Sequence, residues 1–377
     1  MYKIKNHIFF IILFSFSAIF AKAQEHSENV KYSTNYNKSS KISWINWVDF
    51  TGKNTLVNFE KQYNIKTLYS VVDSNEVLEA KLLSGQSGAD LVTPSQNFFI
   101  MLCKIGMFLK LDPSKLPNIK YVDQRIVEKI DASMHGNSLD YGIPYLWGTT
   151  GIGYNKQLIE QALGAEAPTN SWALVFELAN IKKLAKYGVA FIDDPNEIIG
   201  SLLVYMGITN PKLADYEAAF DKLETIRPYI AYFNSTRLVN ELANGDICLA
   251  IGWSGDIQIS KIRSVNSSNI LYSIPKEGAL MWVDMLAIPK KSKNQDKAYC
   301  LINYLLDPKV MADISSETKF AHANNGSFKY LNKEFVNNED IFISDDTLKR
   351  VFVANIPDKT TIRLINRRWV RLKAKNN

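Results

Sequence analysis

The chain has 377 residues, with 44 Lys and Arg against 38 Asp and Glu for a formal charge of +6. Removal of residues 1–23, a leader by the reading below, takes away Lys3, Lys5 and Lys22 and no acid; the resulting +3 makes no case for nucleic acid or an anionic membrane. Three cysteines in no metal-like spacing, and four histidines of which His7 and His26 precede any folded core, leave little from which to build a metal site or a His-based triad.

Lys3 and Lys5 precede a short apolar run, Ile8 to Phe20, and Ala21-Lys22-Ala23 offers a small-x-small cleavage site before Gln24. This is the pattern of a secretory signal peptide, too short and wrongly flanked for a permanent span. No Cys follows it for lipid attachment. Residues 24–40 are polar and lack apolar periodicity, which reads as a flexible lead. The roughly 335 residues beyond are large for one core and comfortable for two lobes.

From there strands and helices alternate. Lys41 to Trp47 reads as a strand, and Asn54 to Tyr63 as a helix with Leu56, Val57 and Phe59 inward. Thr67 to Val72 is a second strand. Asp73 or Ser74 can cap the next helix, where Val77, Leu78, Lys81 and Leu82 mark one face and Gly85 supplies the stop. Asp90 to Thr93 is a short buried strand ending at Pro94-Ser95. This βαβαβ run implies parallel strands with helices on both faces. Gly142 to Tyr154 breaks the rhythm, and its Gly, aromatic and β-branched residues suit extended segments crossing between two lobes. Helices near 172–186 and 213–225 follow, then a strand from Ile247 to Trp253 and one from Ala279 to Pro289 that can return to the first lobe. Lys297 to Leu306 is a helix with Ala298, Leu301, Ile302 and Leu305 inward, and Arg363 to Lys375 fits an amphipathic helix with a solvated basic face. Cys103 and Cys300 fall in apolar helix-like runs and read as buried thiols.

Three Trp–acid pairs stand beside these strands: Trp47 with Asp49, Trp253 with Asp256, and Trp282 with Asp284. An aromatic face beside a carboxylate suits an organic ammonium ion, because the ring quadrupole attracts the cation while the acid accepts charged hydrogen bonds. In an open α/β sheet the loops at the carboxyl ends of the strands carry ligand contacts, and the pairs and Pro94-Ser95 fall at such loops. Glu197 lies near a helix start, where the dipole alone favours an acid. Asp256 after a Gly turn can equally cap a helix. Asp284 is harder to dismiss, since an acid inside the apolar run MWVDMLAI is costly if buried without a partner.

The segments NWVDF, DSNEVLEAKLLSG, DLVTPS, SKLPN, IPYLWGTTGIGYN, LANGDICLAIGWSGD, SIPKEGA and AYCLINYLLDP give the chain, from about Ile42 to Lys373, a resemblance to the periplasmic polyamine-binding proteins of ABC importers, most of all to their putrescine-binding members. The resemblance implies an α/β type II periplasmic binding fold: two lobes on a hinge, residues 41–145 with 280–320 and residues 146–279 with 321–377, and a ligand cleft between them. It implies a monomer in the periplasm, partnered by the inner-membrane permease, with no cofactor, no nucleic acid and no catalysis. By position, its amine pocket falls on Trp47, Val48, Asp49, Phe50, Ser95, Glu197, Trp253, Asp256, Trp282, Asp284 and Phe320. The tryptophans would be plates for the methylene chain, and Asp256, Asp284 and Glu197 would hold the ammonium ends with Asp49 in support.

Some positions depart from that pattern. Val48 stands where the putrescine binder has a Ser, Phe50 and Phe320 replace tyrosines, and Tyr187 stands where close relatives have a Cys able to pair with Cys248. A lost hydrogen bond to a charged group costs on the order of 1.5–3 kcal/mol, so these changes bear on which polyamine is preferred. Two other function classes stand beside this one, and the sequence does not separate the first of them from transport. An extracytoplasmic amine sensor would use the same cleft without transport. A secreted hydrolase would need a nucleophile elbow, yet no GxSxG occurs and only His135 and His322 could serve as a His base in the mature fold.

Overall fold

The structure, a computed structural model, describes residues 40–354 and 357–374. The predicted leader and nearly all of the polar lead lie outside the described residues. The strands are β1 (Lys41–Asn46), β2 (Lys66–Val71), β3 (Leu91–Val92), β4 (Gly142–Asn155), β5 (Val189–Phe191), β6 (Tyr232–Phe233), β7 (Leu249–Trp253), β8 (Ile270–Ser273), β9 (Ala279–Ala287), β10 (Ala321–His322) and β11 (Val351–Phe352). Their pairing runs β2-β1-β3-β9-β4-β7-β5-β6, with β8 and β10 also on β4 and β11 on β9.

Strand periodicity places the side chains. In β1, Ile42 and Trp44 enter one core with Phe59, Tyr145 and Leu146, while Ile45 enters the core on the other face with Val92 and Phe99. In β9, Met281, Val283 and Met285 join the second of these cores, and Trp282 and Leu286 join the first. A third core holds Phe176, Phe191, Phe220, Leu249 and Ile251, and the C-terminal helix Lys359–Ala374 adds Leu364, Ile365, Trp369 and Leu372 to it.

The expected βαβαβ run is present, with β1 parallel to both β2 and β3. The Ser74 hydroxyl accepts from the Val77 N–H at 3.3 Å and so caps the helix Asn75–Leu83, which Gly85 (φ 68°) ends. Two inward assignments are corrected. Val57 is 50% and Val77 45% exposed, because the buried stripes run through Thr55 and Phe59 and through Leu78 and Leu82, four residues apart. The helix expected over 172–186 is broken at Glu177 (ψ 124°) into Ala173–Phe176 and Leu178–Leu184. The helix-like run around Cys103 is the helix Gln96–Lys104, whereas the helices Gln124–Met134, Lys156–Leu163, Arg237–Asn244 and Pro308–Thr318 were not foreseen. Cys300 and Cys248 are buried as free thiols, but Cys103 is only half-buried.

Strand β4 joins the lobes. Gly142 to Thr149 pairs with β9, with a register shift between Pro144 and Trp147, and Thr150 to Tyr154 pairs with β7. The described residues beyond Phe320 do not pack as one piece with the second lobe. Ala321, Ala323, Ile341, Leu348 and Val351 lie in the core with Ile45 and Phe99, drawn there by the pairing of β10 with β4 and of β11 with β9. The C-terminal helix enters the second-lobe core, and Phe352 of β11 packs against it.

Candidate functional site

The carboxyl ends of parallel strands from both lobes converge where the sequence pairs stand. The turn Trp47–Phe50 follows β1, Ser95 follows β3, Glu197 lies in the first turn of the helix Pro195–Tyr205 after β5, and Asp256 lies in the first turn of the helix Ser254–Arg263 after β7. Trp282 and Asp284 are two residues apart in β9, so alternation turns both to the same face.

Backbone anchors hold the first turn. Tyr69 donates its hydroxyl to the Trp47 carbonyl at 3.0 Å, and Tyr145 donates to the Phe50 carbonyl at 3.0 Å. Asp49 adopts a left-handed φ of 54°, which bends the chain so that Phe50 turns back into the protein. There the Phe50 ring lies 5.4 Å from Phe320 and 6.2 Å from Trp282, and Trp282 meets Phe320 edge-on at 5.0 Å. A Cβ on Gly255 would come within 2.4 Å of the Phe320 ring, so the glycine lets the helix carrying Asp256 press against the opposite lobe. Trp253 packs against the cores of both lobes. Val48, at 53% exposed, stands at the rim.

The acids are held in poor solvation. Asp284 is 4% exposed, and burial lifts its carboxyl to about 7. Ser95, joined to it by a β-bridge, and the Trp47 indole lie near enough to oppose that rise, yet neither Trp47 Nε1 nor Asp284 Oδ1 completes a hydrogen bond. Ser95 itself is clasped by Asn75, which donates to its hydroxyl at 3.0 Å and accepts from its N–H at 3.1 Å. Burial also lifts Asp256 to about 7, partly offset by Arg263 on its own helix and reinforced by Asp49 from the other lobe. Glu197 is pushed well above the usual carboxylate range by burial, then by Asp194; Thr150, donating to Glu197 Oε2 at 2.5 Å, pulls the other way, and Asp284 adds to the rise. No ion pair among the described residues involves Glu197, Asp256 or Asp284.

The structure thus brings the eleven positions named from sequence to one interlobe region, with Val48 at its edge. Two cavities elsewhere, of about 340 and 620 Å³, contain none of them. Sequence reasoning missed four supporting residues: Thr150, Asp194, Tyr69 and Asn75. Asp194 had a signal, since an acid before Pro with Glu two residues further on is a helix-start pattern, and its Oδ1 accepts from the N–H groups of Asn196 and Glu197 at 2.9 and 3.1 Å. Among the described residues, no cluster of His, Cys, Asp and Glu suits a metal ion, and no helix is long and apolar enough to cross a membrane.

Known proteins share this construction. The chain is 42% identical over 337 residues to the putrescine-binding periplasmic protein SpuD of Pseudomonas aeruginosa, a match covering 87% of this chain and 90% of that one. It is 40% identical over 335 residues to the putrescine-binding periplasmic protein PotF of Escherichia coli, again covering 87% and 90%. Among solved structures, the Tp0655 (TpPotD) lipoprotein of Treponema pallidum superposes with a TM-score of 0.76 at 25% identity, covering 89% of this chain and 100% of that one. Residues 55–342 match the family described as bacterial extracellular solute-binding protein. With two lobes joined through β4 and acids and aromatic rings facing each other between them, the chain belongs to the bacterial extracellular solute-binding protein family.

Proposed function

We propose that this protein captures a polyamine of the putrescine type between its lobes and delivers it, on the outer side of the inner membrane, to an ABC permease. One observation carries the reading: Asp284 is buried and Glu197 and Asp256 are half-buried, poor solvation raises the pKa of all three, and among the described residues no cationic side chain pairs with any of them. A poorly solvated carboxylate without a partner is unfavourable, most of all one as buried as Asp284, so a site that gathers three such acids is built to receive positive charge.

In this reading the acids form two poles, Glu197 with Asp284 and Asp256 with Asp49. An α,ω-diamine places one ammonium at each pole, and its methylenes lie among Trp47, Trp253 and Trp282 with Phe50 and Phe320 behind. Closure brings contributions from both lobes onto one ligand, so the ligand favours the closed state by the contacts it makes only there. A neutral or singly charged compound leaves at least one buried acid unmatched, which is a penalty built against the wrong ligand. Val48, Phe50 and Phe320 supply no hydroxyl, so the ammonium ends depend on carboxylates more than on neutral oxygens. The putrescine-binding relatives give the same ligand class.

Calorimetry of the mature protein against putrescine, cadaverine, spermidine and agmatine tests the reading. Binding of at least one with a heat and a thermal shift is expected; silence with all four would end it.

A further inference from the structure

Resting on that reading, we propose that the C-terminal helix sets amine affinity from outside the cleft, with Asp193 as the positioning residue through which it acts. Asp193, Asp194 and Glu197 are three acids within five residues, at the junction between β5 and the helix Pro195–Tyr205. Their surroundings differ. Asp193 Oδ1 accepts from Trp369 Nε1 at 2.9 Å, and Lys373 Nζ donates to both of its oxygens at 2.9 and 2.7 Å. Its own N–H donates to Ser235 Oγ at 3.1 Å. Asp194 and Glu197 have no cationic partner among the described ion pairs.

The tether starts from a fixed support. Trp369 is 4% exposed and packs edge-on against Phe233 at 4.7 Å, and Phe233 is the register partner of Phe191, the last residue of β5. The strand end and the helix that grips the loop are thus parts of one core. With Asp193 held outward, the next residue turns its carboxylate onto the first N–H groups of the helix, and that turn sets where Glu197 meets Thr150. Lys373 neutralises the outermost acid without pairing with the inner two, so Asp194 caps the helix and Glu197 stays available for the ligand's charge. Burial is the main cause of the raised Asp194 pKa and Asp193 adds the least to it, so the pairing with Lys373 acts on the inner acids through their placement.

Lys373→Met and Trp369→Phe test this by calorimetry with putrescine or whichever of the four amines the wild type binds best. Each is expected to weaken binding roughly three- to tenfold, and Lys373→Arg to retain it. The deciding measurement is the cycle with Glu197→Gln: in that background, Lys373→Met should change affinity little, because the residue it positions no longer carries charge. A purely structural tether would instead lower the melting temperature equally in both backgrounds without moving the dissociation constant. Wild-type affinity in both single variants, or an undiminished loss in the Glu197→Gln background, overturns the proposal while the amine reading stands. Failure of the wild type to bind any amine overturns both.

Discussion

Asp284→Asn should make the ligand-free protein more stable at neutral to basic pH while disabling it. The Asp284 carboxyl is raised from an ordinary 3.8 to about 7 by burial. Its folded-state pKa lies above the unfolded one, so the stability linked to this group is fully present below about pH 4 and is lost as pH rises through about 7. About three pKa units at 1.36 kcal/mol each set a ceiling of roughly 4 kcal/mol for the penalty of the ionised form. Asn keeps the shape but still buries an amide with few partners, which returns about 1–3 kcal/mol of that. Urea unfolding without ligand at about pH 8 should therefore show the variant roughly 1–3 kcal/mol more stable, and at about pH 5 the gap should close or change sign. With putrescine present the order reverses, because only the wild type gains binding energy; the variant should lose at least about tenfold in affinity. A variant less stable than wild type at both pH values, or a difference independent of pH, refutes the assignment of Asp284 as an uncompensated buried acid.

Binding itself should follow pH in the opposite direction. Asp256 and Asp284, both near 7, must be ionised to hold ammonium groups, so affinity should rise by about tenfold to a hundredfold between about pH 6 and pH 8. Calorimetry in two buffers of different ionisation heat should register proton release on binding near neutrality, and a flat or falling affinity across that window contradicts it. Gly255→Ala places a methyl within 2.4 Å of the Phe320 ring, which must push the helix start carrying Asp256 away from the first lobe. Affinity should drop about tenfold or more with little change in melting temperature, and Phe320→Leu in the same chain should restore part of it; unchanged binding by Gly255→Ala removes that contact from the closed site.

The parts legible in the sequence were those written in short-range pattern. Alternation in MWVDMLAI places Trp282 and Asp284 on one face, and the Ser74 cap with the Gly85 stop brackets a helix correctly. Asp284 stood out because charge inside an apolar run conflicts with burial. What escaped depends on partners far away in the chain. Thr150 lies 47 residues from the Glu197 carboxylate it meets, and nothing local marks it. The helix Gln124–Met134 is amphipathic, but its buried face, Ile126, Val127 and Ile130, is sparse between polar residues. Residues 321–353 were expected with the second lobe, and their true place follows from two-residue strands, β10 and β11, too short to carry periodicity. The placement of the site came from the resemblance; the packing around it came only from the fold.

The interleaving of the two lobes also constrains how the chain can fold as it is made. The cores on the first-lobe sheet join Ile42 and Ile45 to residues as late as Phe320 and Val351, and the second-lobe core, centred on residues 152–272, waits for Leu364 to Leu372. Neither lobe can bury its full apolar surface until these late segments have been synthesised, and contacts so distant in sequence form slowly. In a nascent chain of this topology the first lobe waits for residues up to Val351 and the second for the C-terminal helix, so the early strands are made well before their core partners.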